Sequence, residues 1–210
     1  MAADDVAAID AFAIEAQRRP AARLIVGPRA VAHHFWARIR GWHRAPSIVR
    51  NAQPLFALEQ PPPPALDDPA VRPARPDELE LVAENSAQMM VGELGYDPRA
   101  FRANFLQGIS RLLERDWWWV WIDDGELRFQ CNIGSISAQT AQLQGVWTPP
   151  QLRGRGYATR AFHAICRRLL GEFPSLSLYV NDFNADAIAL YERIGFVRVG
   201  ELATYLFNEP

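Results

Sequence analysis

The sequence predicts an α/β (α+β) chain: a mixed central sheet flanked by helices, preceded by a smaller α/β module. Three observations carry that expectation. Between residues 143 and 199, strand-like and helix-like stretches alternate, as they do where crossover helices cover a sheet. Ahead of them, three strand-like runs joined by short turns make an antiparallel meander. Where the two patterns meet, Val146-Trp-Thr-Pro-Pro-Gln-Leu-Arg-Gly-Arg-Gly-Tyr-Ala158 runs from an apolar strand through two prolines and a basic, glycine-rich turn into a helix.

Composition allows such a fold and excludes others. With 210 residues, 49% of them hydrophobic, the chain can bury the core of one large domain, or of a domain plus a smaller module. Seven tryptophans argue against disorder. A net charge of −2 gives no basic footprint for nucleic acid. No apolar run approaches the ~18 residues of a membrane-spanning helix. The first five residues hold neither the basic nor the apolar segment of a secretion signal, so a cytoplasmic location is expected. Cys131 and Cys166 stand in unrelated apolar contexts and read as two buried, reduced thiols.

Residues 4–17 read as an amphipathic helix with Val6, Ile9, Ala13 and Ile14 near one face, Asp4 or Asp5 as cap, and Pro20 closing it. Arg23–Val26 is a short strand. Gly27-Pro28 turns the chain, and Pro28 suits the first turn of a helix carrying Val31, Phe35 and Ile39. Two strands follow, at Ile48–Arg50 and Leu55–Leu58. Pro61–Pro64 can continue neither ladder nor helix and favours an extended spacer. The expected organisation is therefore a module over 1–60, a linker over 61–69 and a second domain over 70–210.

In the second domain a helix starts at Arg75-Pro-Asp-Glu and runs to about Val91, with Gly92 and Gly95 breaking it. Pro98 opens another, with Phe101, Phe105, Ile109, Leu112 and Leu113 at helical spacing. Trp117–Ile122 is apolar at every position and reads as a central strand covered on both faces, not as a base-stacking platform. Asp123-Asp-Gly125 signals a tight hairpin. Next, Leu127, Phe129, Cys131 and Ile133 alternate with Arg128, Gln130 and Asn132, and Ala141–Thr148 is the third strand of the meander. Residues 157–170 form a strongly amphipathic helix ended by Gly171. Leu176–Val180 is a strand, Asn181–Asn184 a capping turn, and Asn184–Ile194 a short helix. Phe196–Val199 and Leu202–Phe207 read as a final pair of strands.

The turn at 153–159 has the physics of an anion site. The first amides of a helix lack intrahelical acceptors, and the macrodipole is positive there. Gly154 and Gly156 let the backbone approach a ligand closely. Arg153 and Arg155 add charge, directed either to a bound anion or to solvent.

These residues resemble the GNAT N-acetyltransferases. Thr148-Pro-Pro-Gln-Leu-Arg153-Gly-Arg-Gly156-Tyr-Ala158 is similar to that family's acetyl-CoA motif, Gln/Arg-x-x-Gly-x-Gly/Ala. Two registers fit, Gln151-x-x-Gly154-x-Gly156 and Arg153-x-x-Gly156-x-Ala158. The second is preferred, because Pro150 then falls where the family often has proline. Asn181-Asp-Phe-Asn184-Ala-Asp-Ala-Ile-Ala-Leu-Tyr191-Glu-Arg-Ile-Gly195-Phe196 resembles the second motif, and the likeness covers roughly 70–208. It implies a GNAT fold with acetyl-CoA as co-substrate and no metal. Pantetheine would pair with Val146, Trp147 and Thr148, and the pyrophosphate would lie on the amides of Gly154, Arg155, Gly156, Tyr157, Ala158 and Thr159. Asn184 would hydrogen-bond the cofactor arm. Asn181 is either a turn residue or a further contact. Tyr191, two turns along the helix from Asn184, would give a proton to the departing thiolate, which a phenol of pKa ~10 can do. Its alternative is a core tyrosine beside Ile188 and Ile194.

The acceptor side is less explicit. The strand Ala141–Val146 holds no acid where many family members have a glutamate; Gln144 can orient water but is a poor base. Glu93 and Asp97 are expected in a loop near the acceptor, and His163 on an exposed helix face. His33, His34 and His43 lack the Cys or carboxylate partners of a metal set and read as structural or solvated. Arg23–Arg29, Phe35-Trp36 and Val49–Leu58 resemble a module fused ahead of GNAT units in some bacterial proteins, without its own cofactor turn. The expected function is acetyl transfer from acetyl-CoA to a primary amine on a small molecule, protein or peptide. The alternative is an acyl-CoA-binding sensor without turnover. Neither a nucleic acid nor a membrane is an expected partner, and the sequence gives no oligomeric state.

Overall fold

The computed structural model describes residues 6–18, 23–63 and 70–207, the Leu94 side chain apart. In chain order the elements are α1 (Val6–Arg18), β1 (Leu24–Pro28), α2 (Arg29–Ile39) and β2 (Ile48–Leu58). Then come β3 (Arg72–Pro73), α3 (Leu79–Leu94), α4 (Arg102–Leu113), β4 (Trp118–Asp123), β5 (Glu126–Ile136) and β6 (Ala141–Trp147). The last are α5 (Tyr157–Leu169), β7 (Leu176–Tyr179), α6 (Ala185–Ile194) and β8 (Val197–Leu206). The expected caps Asp4 and Asp5, Pro20, and most of the expected linker lie outside the described residues. No described helix is long and apolar enough to cross a membrane. The chain divides into two units.

One unit takes Met1–Phe56, Tyr179–Ala189 and Val197–Pro210. Its first strand pairs with its last: β1 runs antiparallel to β8 from Leu24↔Leu206 to Pro28↔Leu202. α2 covers this ribbon, burying Ala32 with Ala203, Tyr205 and Phe207, and Trp36 packs 5.3 Å from the Tyr205 ring. α1 is tied to α2 through Asp10, which accepts from Arg38 at 2.7 and 3.1 Å. Of the stripe expected on α1, Ile9 and Ala13 are buried while Val6 and Ile14 are exposed. His33 Nδ1 meets the Tyr205 hydroxyl at 2.6 Å, His34 meets Asp10 at 3.3 Å, and buried His43 donates from Nδ1 to the Arg44 carbonyl at 3.1 Å.

Two pairs of expected strands are each one strand. Gln53-Pro54 reads as a break within 48–58, yet Gln53 is buried with both ends of its amide paired. Its Oε1 accepts from Thr204 Oγ1 at 2.6 Å, and its Nε2 donates to Asn181 Oδ1 at 3.0 Å. The Pro54 carbonyl accepts from Val180 N. A polar residue whose hydrogen bonds are satisfied does not end a strand. In β8, Glu201 is held by Arg29 at 2.9 Å and by Arg198, so the charged step between the expected strands is neutralised in place.

The other unit takes Ala57–Leu178 and Leu190–Phe196. β3, β4, β5 and β6 pair antiparallel in that order, and β6 pairs parallel with β7, so the sheet is mixed. On one face α3 and α4 bury Val82, Ala83, Ile109 and Leu113 against Trp118, Val120, Leu127 and Trp147. On the other, α5 buries Ala161, Phe162, Ile165, Cys166 and Leu169, with Phe162 6.1 Å from Phe129 and stacked 5.8 Å from Phe196. Cys131 and Cys166 are free thiols in this core. Asp124 and Gly125, both at positive φ, make the expected hairpin turn between β4 and β5.

Three local expectations are corrected. The tryptophan strand is second from the edge, not central: β3 covers only Trp119 and Val120, Trp117 precedes the strand, and Trp121 is half-buried. β3 is too short to show a hydrophobic period. It is fixed by Glu78, whose buried carboxylate accepts from Arg72 at 2.6 and 2.8 Å and from the Arg75 amide at 2.8 Å. α3 passes through Gly92 and ends at Gly95, whose φ of 63° supplies the left-handed cap. Leu127 does not share a side with Phe129, Cys131 and Ile133: the register slips between Trp121 and Ile122, and Leu127 packs with Trp118 and Val120 on the side of Gln130 and Asn132, which are 0% and 3% exposed.

Candidate functional site

β6 is bent by two paired irregularities. Between Gln130↔Trp147 and Asn132↔Gln144 it carries one more residue than β5, a bulge centred on Gly145 at φ +65°. Between Ile133↔Leu143 and Ser135↔Gln142 the extra residue is on β5, at Gly134. Side chains exchange across these glycines: Gln144 lies over Gly134 and Asn132 over Gly145. On its far edge β6 pairs with β7 at Ala141↔Leu176 and Gln142↔Ser177, and no later pair joins them among the described residues. From Leu143 onward the strand edge is open. Val146 is half-buried there, Trp147 and Thr148 are buried, and Thr148 Oγ1 has no partner.

Beyond Pro149 the chain makes a single 3-10 turn over Pro150–Leu152 and extends at Arg153. Gly154 and Gly156 follow at φ +73° and +79°. A Cβ at either would meet no protein atom within 4 Å, and the positive φ is a conformation that favours glycine. Gly156 caps α5, and the first intrahelical bond runs from Arg160 N to the Gly156 carbonyl at 3.1 Å. The amides of Tyr157, Ala158 and Thr159 come before that bond.

The arginines around the turn differ. Arg153 is spent on the strand end: its Nε donates to the Thr148 carbonyl at 3.1 Å, and its guanidinium lies 4.6 Å over Trp147. Arg155 is exposed. Three further cations escaped the sequence reading. Arg193 donates to Thr159 Oγ1 at 3.5 Å. Arg160 lies 5.0 Å over Trp121, whose ring meets Tyr157 edge-on at 5.1 Å, and Arg128 stands 5.9 Å over Tyr157. Helical spacing from Gly156 marks Arg160; nothing in the sequence marks Arg128 or Arg193.

Tyr191, in the last turns of α6, belongs to the same unit as the turn. It is 6% exposed, with Phe162 at 5.7 Å and Phe196 at 6.1 Å. Burial pushes its phenol well above the usual tyrosine range, and the Glu93 carboxylate and the two thiols push the same way. Its ring is therefore core, and its hydroxyl stays protonated across the neutral range. Asn181 and Asn184 belong to the other unit. Asn181 Oδ1 takes the Gln53 amide, and Asn184 Oδ1 accepts from Ala187 N at 3.2 Å, capping α6.

The acceptor-side residues are also placed. Glu93 is on the last turn of α3, not in a loop. Asp97 caps the next turn, accepting from Arg99 Nε at 2.8 Å and Arg99 N at 3.0 Å; those bonds hold its carboxyl below the usual range. His163 is half-buried, not exposed, with Nδ1 buried and unpaired.

Comparison with known proteins follows the same lines. A family described as "Acetyltransferase (GNAT) family" matches residues 79–196, more than half of the chain. A second, described as a domain of unknown function (DUF4081), matches residues 2–82. No curated protein matches. Among solved structures the chain is similar to an acetyltransferase of the GNAT family from Colwellia psychrerythraea, at TM-score 0.64 and 12% identity, covering 98% of this chain and 74% of that one. A GNAT-family structure from Novosphingobium aromaticivorans aligns at TM-score 0.62 and 19% identity over 96% and 81%. An N-acetyltransferase from Staphylococcus aureus aligns at 0.55 and 14% over 66% and 97%. At these identities the likeness is one of fold.

Proposed function

The chain belongs to the acetyltransferase (GNAT) family, and on that premise we propose that it is an N-acetyltransferase moving an acetyl group from acetyl-CoA to a primary amine. The observation that carries this reading is the open edge of β6 beside the glycine turn of α5. Residues 70–210 form the transferase domain in this reading, behind a module of 1–60 and a linker of 61–69.

The residues present fit the cofactor. Val146, Trp147 and Thr148 lie where β6 no longer pairs with β7, so a pantetheine amide can bond that edge as one strand bonds another. The amides of Gly154 to Thr159 lead into the start of α5, a positive helix end suited to a pyrophosphate. Arg155 adds charge there. Arg153 acts indirectly, holding the strand end through Thr148 and Trp147. Asn181 and Asn184 shape the entry to α6. Bound acetyl-CoA supplies an activated thioester, so the acceptor amine attacks directly within a ternary complex. The chain contributes position and electrostatics: strand amides aimed at the acyl carbonyl, and the Tyr191 hydroxyl as a proton held near the leaving sulfur.

A second reading, an acyl-CoA-binding sensor without turnover, is favoured by the lack of a carboxylate on β6 and by the engagement of Asp97 with Arg99. Calorimetry with CoA and acetyl-CoA tests both, since absence of binding sinks both. Free-thiol release over a panel of amines, peptides and aminoglycosides separates them: acceptor-dependent release supports the transferase, and binding with no release on any acceptor supports the sensor.

A further inference from the structure

The face of the sheet under α3 holds more hydrogen-bond donors than acceptors. Register places Trp118 opposite Asn132 and Gln130 opposite Trp147, so these four side chains share one face across β4, β5 and β6. Trp118 Nε1, Trp147 Nε1 and Asn132 Nδ2 are buried donors without an acceptor. Gln130 donates to Ser86 Oγ at 3.0 Å, leaving its Oε1 as the unpaired acceptor. A buried polar group without a partner costs stability, and such groups collect where a ligand or water completes them.

Asn132 reaches from β5 onto β6, the strand with the open edge. A Cβ on Gly145 would stand 2.6 Å from its Oδ1, so the carboxamide from β5 fills the space that a side chain on β6 would take. Gly145 is the bulge residue at which β6 has already left β7. The arrangement carries a neutral amide from the middle of the sheet, over a glycine, to the lip of the opening.

We propose that Asn132 is a substrate-contacting residue that donates from Nδ2 to the carbonyl oxygen of the acyl group. This rests on the acyl-CoA reading above and adds a side-chain contact to it. A carbonyl is what the site lacks: an oxygen acceptor, uncharged, brought to a dry face rich in N–H groups. No bond is made or broken by Asn132; it orients the thioester and stabilises charge that develops on its oxygen.

Calorimetry tests this with three ligands: CoA, acetyl-CoA, and S-ethyl-CoA, a thioether that keeps the chain length and lacks the carbonyl. Wild-type protein is expected to bind acetyl-CoA about tenfold more tightly than S-ethyl-CoA, the scale of one buried hydrogen bond. Asn132→Ala is expected to reduce that ratio to about twofold while leaving the CoA affinity within about twofold. A wild-type ratio near one overturns the proposal, as does a variant that keeps the tenfold ratio, which is the result if Nδ2 only binds a buried water. Should Asn132→Ala fail to fold, Asn132→Ser carries the same comparison. The thioester carbonyl stretch in bound wild-type protein adds an independent readout, a shift to lower frequency being expected and an unshifted band being fatal. If none of the three ligands binds, the acyl-CoA reading itself fails, and this contact with it.

Discussion

The side chain of Gln144 lies across Gly134 of the neighbouring strand, so close that a Cβ there would stand 2.4 Å from Gln144 Cδ. The reciprocal pair, Asn132 over Gly145, looks alike but differs physically. Gln144 is exposed and can swing away; Asn132 is buried, and Gly145 sits at φ +65°. Gly134→Ala is therefore expected to cost less than ~1 kcal/mol, whereas Gly145→Ala adds left-handed strain to overpacking and is expected to cost about 2–4 kcal/mol. Urea midpoints of the two variants check this; equal costs would contradict it.

At the turn, glycine serves conformation with open space around it. Gly156→Ala places a side chain at φ +79°, which costs about 1–2 kcal/mol if the turn is kept and distorts the turn if it is not. The expected outcome is a CoA affinity about tenfold weaker, with a small fall in melting temperature and an unchanged far-UV spectrum. Titration calorimetry on the folded variant reads it, and an unchanged Kd would remove the turn from the cofactor site.

Glu78 ties β3 to the start of α3. The Arg72 bond, joined by the Arg75 amide, holds its carboxyl below the usual range. A depressed folded pKa means stability that is present above the unfolded value of ~4.3 and is lost as pH falls through the folded value. Glu78→Gln is expected to cost about 1–3 kcal/mol at pH 7, at the lower end because Arg72 is partly exposed. It is also expected to flatten the loss of stability between pH 5 and 3. A wild-type urea midpoint no more acid-sensitive than the variant's contradicts the assignment.

Tyr191→Phe keeps the ring in its cluster and removes the hydroxyl. If the phenol gives a proton to the leaving sulfur, kcat falls about 10- to 100-fold while the CoA affinity holds. Steady-state thiol release with any amine that the panel identifies, paired with calorimetry, decides it. Equal kcat in both proteins would return Tyr191 to a packing role.

The core thiols give an alkaline limit. Burial pushes both Cys131 and Cys166 upward, and Tyr191 moves the same way. For groups with raised folded pKa values, stability is complete below the unfolded values, near 8.5 for Cys and 10 for Tyr, and declines as pH rises beyond them. Urea midpoints are expected to be flat from pH 7 to 8 and to fall steeply above pH 9.5. In the native protein at pH 8 both thiols are expected to resist disulfide reagents until urea is added; rapid native labelling would count against their burial.

Local signals carried much of this structure. Asp124-Gly125 announced a tight hairpin turn, and it occurs as read, with both residues at positive φ. The stripe of α5 was legible because its period matches one buried face. What stayed hidden depended on partners distant in sequence. Alternation along β5 did not say that α3 would cover Gln130 and Asn132, nor that a register slip would move Leu127 to their side. Gln53-Pro54 looked like a break because its partners, Asn181 and Thr204, come more than a hundred residues later. The bulges at Gly134 and Gly145 are properties of register, which no single strand contains.

The pairing of β1 with β8 has a consequence for biosynthesis. Leu24 finds its neighbour in Leu206, and the Ala32 cluster closes only when Ala203, Tyr205 and Phe207 arrive. At a translation rate of ~5–20 residues per second, the first strand leaves the ribosome roughly 10–40 s before its partner exists. During that interval Leu24 and Val26 have no ladder to join. The ladder of β1 and the cluster around Ala32 are thus completed only when β8 and Phe207 have been made.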